Sequence, residues 1–424
     1  MFLVAVLLLF LSLLFIFYLH ISTTLPPKRP HGIFSLPSAY TSFSSYLSLS
    51  NAELARMRAS YASISHPHKK LGYSLGYPSK LNTLGEIYQK NAKITRAIAA
   101  LAEVQFPDQV RPPPSPWLSW LSGTSKFTST ASLVRVRESL KHFVRDWSAD
   151  GAAEREKIFS PVLSVLRYLS ESPDYKSLLI PGSGLSRLAY ESSVLGFNTT
   201  ACELSMYMNL AFRFLLDEST TSQINQHEVH PYAHWFSHQR LSWQDEKGAF
   251  RGVKFPDIVP RLTDPERTGK GGSLALVEGD FLSLSKPRLS ESGLPGGYDT
   301  LVTLFFIDTS SNIISTLSQI HHLLRPGGIW INLGPLLYTS SASYPGAGGS
   351  HLELSLDEVV RAAQHLGMDV FGYGEDGRKE NGEESGNLPD CMRPRTIPCE
   401  YTADKSAMMR WIYEAEFFVA RKVA

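Results

Sequence analysis

The stretch that decides the fold is LLIPGSGLSRLAYESSVLGFNTTACE, residues 178–203. An apolar run ends in Pro181-Gly182-Ser183-Gly184, a helical pattern follows, and a second apolar run closes on Glu203. That is how a nucleotide-binding βαβ unit begins, although only two of its three expected glycines are present. Residues without a Cβ let a ligand approach the backbone, and the N–H groups of the helix start face it. Glu203 follows Gly184 by nineteen residues, where a carboxylate can accept both hydroxyls of a ribose. Ser186 stands where a third glycine would aid helix packing, so a plain glycine turn stays open on these residues alone.

Working outward, the apolar runs alternate with helical patterns. Strands are predicted at 178–180, 198–202, 274–278, 298–306, 329–333 and about 415–420. The fold class is therefore α/β, a Rossmann-like doubly wound sheet. Upstream, Leu84, Ile87, Ile94, Ile98 and Leu101 recur at near-helical spacing and predict a packing helix. RPPPSPWLSWLSGTS then breaks the chain before a second amphipathic region at 132–147. Residues 373–398 read as an exposed or flexible insertion.

The whole chain has 424 residues, a net charge of +1 and 19% charged residues, so no nucleic-acid partner is indicated. Its three cysteines, Cys202, Cys391 and Cys399, lack metal spacing, and their odd number argues against a disulfide framework. Residues 1–19, MFLVAVLLLFLSLLFIFYL, carry no charge and would span about 28 Å as a helix. They predict an uncleaved transmembrane anchor, with cleavage as a signal peptide the rival reading. Lys28 and Arg29 just beyond it place the remainder in the cytosol. The organisation expected is an anchor at 1–19, a tether at 20–50, a helical region and linker at 51–131, and the nucleotide-binding domain at 132–424.

Three further motifs narrow the ligand. VEGDFLSL ends a strand at Asp280, which can accept from an adenine amino group. YDTLVTLFFIDTSSN ends another with Asp308, and HHLLRPGGIWINLGP gives a helix, a Pro326-Gly327-Gly328 turn and a strand. Dehydrogenases share the first βαβ unit but not commonly this ending. The set points to S-adenosylmethionine rather than a dinucleotide.

LLIPGSGLSRLAYE, VTLFFIDT, LRPGGIWINLGPLLY, SAMMRWIYEAEFFVARK and FVRDWSADGAAERE together resemble the carnosine N-methyltransferase family, in order from about Ser132 to Lys422. The resemblance implies a class I methyltransferase fold and methyl transfer from S-adenosylmethionine to the imidazole of carnosine, yielding anserine. It places cofactor contacts at Arg145, Gly182, Gly184, Glu203, Asp280 and Phe281, with His142 and Leu304 replacing a family glutamine and cysteine. Asp308 is the expected catalytic residue, accepting from the imidazole N–H while the other ring nitrogen attacks. Tyr401, Trp411 and Tyr413 are expected at the acceptor, the last two sharing one strand face. A homodimer is one assembly the resemblance leaves open.

Where the family commonly reads LLYH this chain reads LLYT, which puts Thr339 at an expected substrate-pocket histidine. Threonine hydrogen-bonds but is no base near neutral pH. His351, beyond a glycine-rich insert, reads as a surface histidine. His227, His230, His234 and His238 step by three and four residues, but Pro231 interrupts the helix a metal site would need. They read instead as a segment lining the substrate pocket. Two rivals stand beside the methyltransferase: a catalytically impaired membrane scaffold on the same fold, and an NAD(P)-dependent oxidoreductase using the same glycines and Glu203.

Overall fold

The computed structural model describes residues 32–110, 130–261, 271–287, 296–338, 351–380 and 388–423. Four helices open the described chain: α1 (Leu36–Ser44), α2 (Tyr46–Ser63), α3 (His66–Ser74) and α4 (Tyr77–Gln105). On α4 the five positions expected from their spacing, Leu84 to Leu101, are all buried. A one-turn helix (Pro107–Val110) and then two longer ones follow, α5 (Thr130–Trp147) and α6 (Ala152–Ser170), then α7 (Arg187–Val194) and α8 (Met206–Leu216) within the sheet region.

The main sheet has eight strands: β1 (Ser177–Pro181), β2 (Asn198–Glu203), β5 (Ser273–Glu278), β6 (Tyr298–Leu304), β7 (Leu324–Gly334), β8 (Met368–Val370), β9 (Arg395–Cys399) and β10 (Tyr413–Lys422). β3 (His227–Val229) and β4 (Val253–Phe255) form a separate antiparallel pair. The order is β5-β2-β1-β6-β7-β10-β8, with β9 beside β10. The first five of these run parallel. β10 runs antiparallel to β7, β8 and β9.

Side-chain alternation sorts the strands onto two cores. Leu178, Ile180, Val302, Ile331, Phe417 and Val419 pack with Ile158, Val162 and Leu166 of α6. Leu179, Leu301, Trp330 and Phe418 pack on the other face with Leu317 and Ile320 of α9 (Ile313–Leu323) and Val359 of α10 (Leu356–His365). Both faces are covered, which is why β1 is buried at all five positions and reads as an unbroken apolar run. The expected doubly wound sheet is present.

Three expectations need correction. The tether at 20–50 does not hold for its described part: α1 is a helix with Phe43 fully buried, and the Ser42 hydroxyl meets Tyr207 of α8 at 2.8 Å. The insertion at 373–398 is anchored at both ends: buried Tyr373 donates to Glu416 at 3.0 Å, and β9 pairs with β10.

The membrane expectation is the third. Among the described residues no helix is long and apolar enough to cross a bilayer. α4 has the length, with 29 residues, but carries Lys80, Glu86, Lys90, Lys93, Arg96 and Glu103. Residues 1–19 lie outside the described residues, so the transmembrane helix leaves the fold class. The membrane-anchored, cytosol-facing placement falls with it.

Candidate active site

Four neighbouring strands, β5, β2, β1 and β6, deliver their C-terminal ends to one edge of the sheet. The chain reverses its winding direction between β1 and β6, where open α/β sheets bind ligands. After β1, Gly182 has φ +61°, and a Cβ there would sit 2.4 Å from the Phe306 ring. Only glycine fits. Gly184 has φ +55°, and a Cβ would point at Arg145 Nη2 and His142 Nδ1, 3.7 and 3.9 Å away. Ser186 adopts the same left-handed conformation, φ 55°, where the sequence lacks the third glycine.

Glu203 ends β2 and turns back on this loop. One carboxylate oxygen accepts from the Gly184 N–H and the other from the Ser205 N–H, both at 2.8 Å. Burial pushes its pKa up, and the backbone N–H groups of Ser205, Gly184 and Leu204 pull against that. Each oxygen keeps acceptor capacity beyond its one backbone donor. Asp280 follows β5 and caps a 3-10 turn by accepting from the Leu282 N–H at 3.0 Å. Phe281 is buried edge-on to Phe306, and half-buried Leu304 ends β6.

The end of α5 closes the loop from the side. Arg145 donates from Nε and Nη2 to Asp146 at 2.7 and 3.0 Å and lies 4.5 Å over the Tyr401 ring. Burial opposes both charges, but their mutual attraction holds the Asp146 carboxyl below its usual range and keeps Arg145 charged. His142 Nδ1 is 3.4 Å from Asp146, yet burial and then the Arg145 charge lower its pKa. The Trp147 indole donates to the Leu185 carbonyl at 2.8 Å and fastens α5 to the glycine loop. Asp146 and Trp147 were missed in the sequence because their partners are set by this docking and not by a motif.

Beside Arg145 opens a cleft of about 430 Å³ lined by Lys141, His234, His238, Tyr401, Trp411 and Tyr413, among others. Tyr401 stacks on Phe305 at 4.8 Å, and Phe305 meets Tyr413 edge-on at 5.7 Å. Phe305, with φ 50°, turns the chain out of β6 toward Asp308. Nothing in the sequence marked this aromatic as special. Asp308 is buried, accepts from the Leu337 N–H at 3.1 Å, and is pushed up to about 6 by burial. After burial, its charge is the next influence raising the Tyr413 phenol.

Other expectations fare differently. Trp411 and Tyr413 do line one cleft, but they do not share a strand face: β10 starts at Tyr413, and Trp411 lies before it, 64% exposed. Thr339 lies outside the described residues, immediately after Tyr338, whose hydroxyl donates to the Leu354 carbonyl at 2.9 Å. His351 is exposed. Of the histidine group, only His234 and His238 reach the cleft. His227 sits in β3 against Thr221, and His230 meets the Phe250 carbonyl at 2.9 Å. Among the described residues no group of His, Cys, Asp and Glu could hold a metal ion.

A glycine loop at the switch point, a buried carboxylate at the end of the next strand and an adjoining aromatic cleft together make up the candidate site. The profile of the carnosine N-methyltransferase family matches residues 123–380, and the chain belongs to that family. The mouse carnosine N-methyltransferase is 32% identical over 298 residues, 69% of this chain and 64% of the mouse protein. A fission-yeast relative of the same name (Schizosaccharomyces pombe) is 30% identical over 299 residues, 68% of this chain and 71% of its own. The match thus spans just under two thirds of the mouse protein. Among solved structures, magnesium protoporphyrin IX methyltransferase from Synechocystis with bound SAH aligns over 71% of this chain and 99% of its own, at 10% identity and a TM-score of 0.35. These names speak to neither a membrane nor a second subunit.

Proposed function

We propose that the protein transfers a methyl group from S-adenosylmethionine to an imidazole nitrogen of carnosine, giving anserine, or of a related histidine-containing peptide. The observation that carries this reading is Asp308: a buried carboxylate at the end of β6, its pKa about 6, beside the aromatic cleft. Family membership supports the same substrate class.

The cofactor supplies a methyl already activated on a sulfonium. Gly182 and Gly184 give its methionine end access to the backbone, and Arg145 offers a guanidinium to its carboxylate. Glu203 would accept from the ribose hydroxyls and Asp280 from the adenine amino group, with Phe281 beside Asp280 and Leu304 at the end of β6 as further apolar contacts from the two faces of the sheet. His142, kept neutral by burial and Arg145, can hydrogen-bond where the family has glutamine.

On the acceptor side, Asp308 accepts from one imidazole nitrogen and leaves the other lone pair free to attack in line. Positive charge grows on the ring during transfer, and the adjacent carboxylate stabilises it. Methyl transfer leaves an N-methylimidazolium, about as acidic as protonated imidazole at about 6.5, so Asp308, at about 6, can then take its N–H proton at little cost. Tyr401, Trp411 and Tyr413 wall the ring and exclude water.

An acceptor screen with labelled methyl donor tests the reading, comparing carnosine, histidine peptides and histidines in folded proteins. Label in the small peptides is expected. A protein that binds the cofactor yet labels no imidazole would favour the impaired-scaffold alternative.

A further inference from the structure

Two members of the histidine group, His234 and His238, reach the cleft, and the first of them faces cations. His234 lines the acceptor cleft together with Lys141, Tyr401, Trp411 and Tyr413. Burial first, then the positive charges of Arg137 and Lys141, push its imidazole down to about 3, so it stays neutral beside two cations. Those cations lie four residues apart on α5, one turn along the same face. Arg137 is buried and paired with Glu53. Among the described residues Lys141 pairs with the exposed Glu138, at 2.9 Å and three residues away, a weak partner.

The other charges of the cleft are balanced. Asp404 receives Arg251 at 2.5 Å and Gln239 at 3.3 Å, and Arg410 holds Glu400 at 2.5 Å. What remains is a positive field at the His234 wall with no well-held anion among the described residues to match it. Tyr413, beside Asp308, lines the same cleft as Lys141. A ligand whose imidazole lies against Tyr413 therefore shares its cleft with Lys141.

We propose that His234 and Lys141 form a subsite for a carboxylate on the acceptor, which makes a histidine with its own free carboxyl group the preferred substrate. His234 donates a neutral N–H and Lys141 supplies the charge. This rests on the imidazole-methylation reading and sharpens it, since a histidine inside a polypeptide has no carboxylate to offer.

The test is the binding ratio of carnosine to carnosine amide, in which the carboxylate is a carboxamide, titrated into the full chain with S-adenosylhomocysteine. Wild type is expected to favour carnosine by roughly tenfold, the strength of one charge-assisted hydrogen bond. Lys141→Gln and His234→Gln should bring the ratio close to one, judged in variants that still bind S-adenosylhomocysteine. If His234→Gln does not fold, Lys141→Gln, on a partly exposed helix face, decides alone. A wild-type ratio near one, or variants that keep the preference, overturns the subsite and leaves the proposed function standing. Binding of neither ligand overturns the proposed function and the subsite with it.

Discussion

Asp308 meets one backbone N–H, from Leu337, and a buried setting that lifts its pKa from 3.8 to about 6. The group is therefore ionised at neutral pH but close to giving up that state. Asp308→Asn keeps the shape and removes the charge, so turnover should fall by about 10²- to 10⁴-fold with cofactor affinity little changed. In wild type, kcat should rise as pH passes through about 6, and the asparagine variant should lose that limb. The stability sign is opposite to that of a salt-bridged carboxylate. Between 3.8 and about 6 the unfolded chain loses this proton before the folded one, so stability contributed here falls as pH rises through that window. Denaturant titrations of wild type and variant across the window measure the difference. At Gly182 the positive φ and the Phe306 contact act together: Gly182→Ala should cost about 1–3 kcal/mol and weaken cofactor binding, read by calorimetry. Both residues were legible because each sits at the mouth of a strand within a recognisable motif. Phe305 and Trp147 were not, since what makes them matter are partners 96 and 38 residues away, Tyr401 and Leu185.

The elements that hold the acceptor cleft are two loops. One runs from His230 to Arg251, the other from Glu400 to Ile412, and they are joined by Asp404 with Arg251 and Gln239, by the Met408 N–H to the His238 carbonyl at 2.6 Å, and by Tyr232 to Ala403 at 3.3 Å. Thr402 adds a bond from its N–H to Glu154 at 2.7 Å, which fixes the neighbouring Tyr401. Asp404→Asn should raise the acceptor KM about tenfold with a smaller change in kcat, because it loosens the wall and not the chemistry. Equal losses in kcat and kcat/KM would place Asp404 in the transition state instead. The strands β1, β2, β5, β6, β7 and β10 could be read from the sequence as apolar runs between turn signals. β8, with three residues, and β9, with alternating exposure, could not, because their pairing with β10 comes from the assembled sheet.

At the scale of the whole molecule, the N-terminal helices are part of the body that carries the candidate site. Phe43 and Tyr46 share one core with Ile98 of α4, Phe143 and Trp147 of α5, Phe214 of α8, and Phe255 of β4. The sequence separated this region from the sheet because helical periodicity shows which face is buried but not against what. Phe43→Ala should cost about 3–5 kcal/mol of unfolding free energy in urea. A chain beginning at Thr130 should lose its near-ultraviolet dichroism and bind a hydrophobic dye. The same α5 carries Arg145 and Lys141, so support for the helices is support for the site. The most direct measurement of the central claim is nuclear magnetic resonance of carnosine incubated with the full chain and carbon-13 methyl-labelled S-adenosylmethionine. The label is expected on an imidazole nitrogen with wild type and absent with Asp308→Asn. Label on the β-alanyl amine, or none despite bound cofactor, would contradict it.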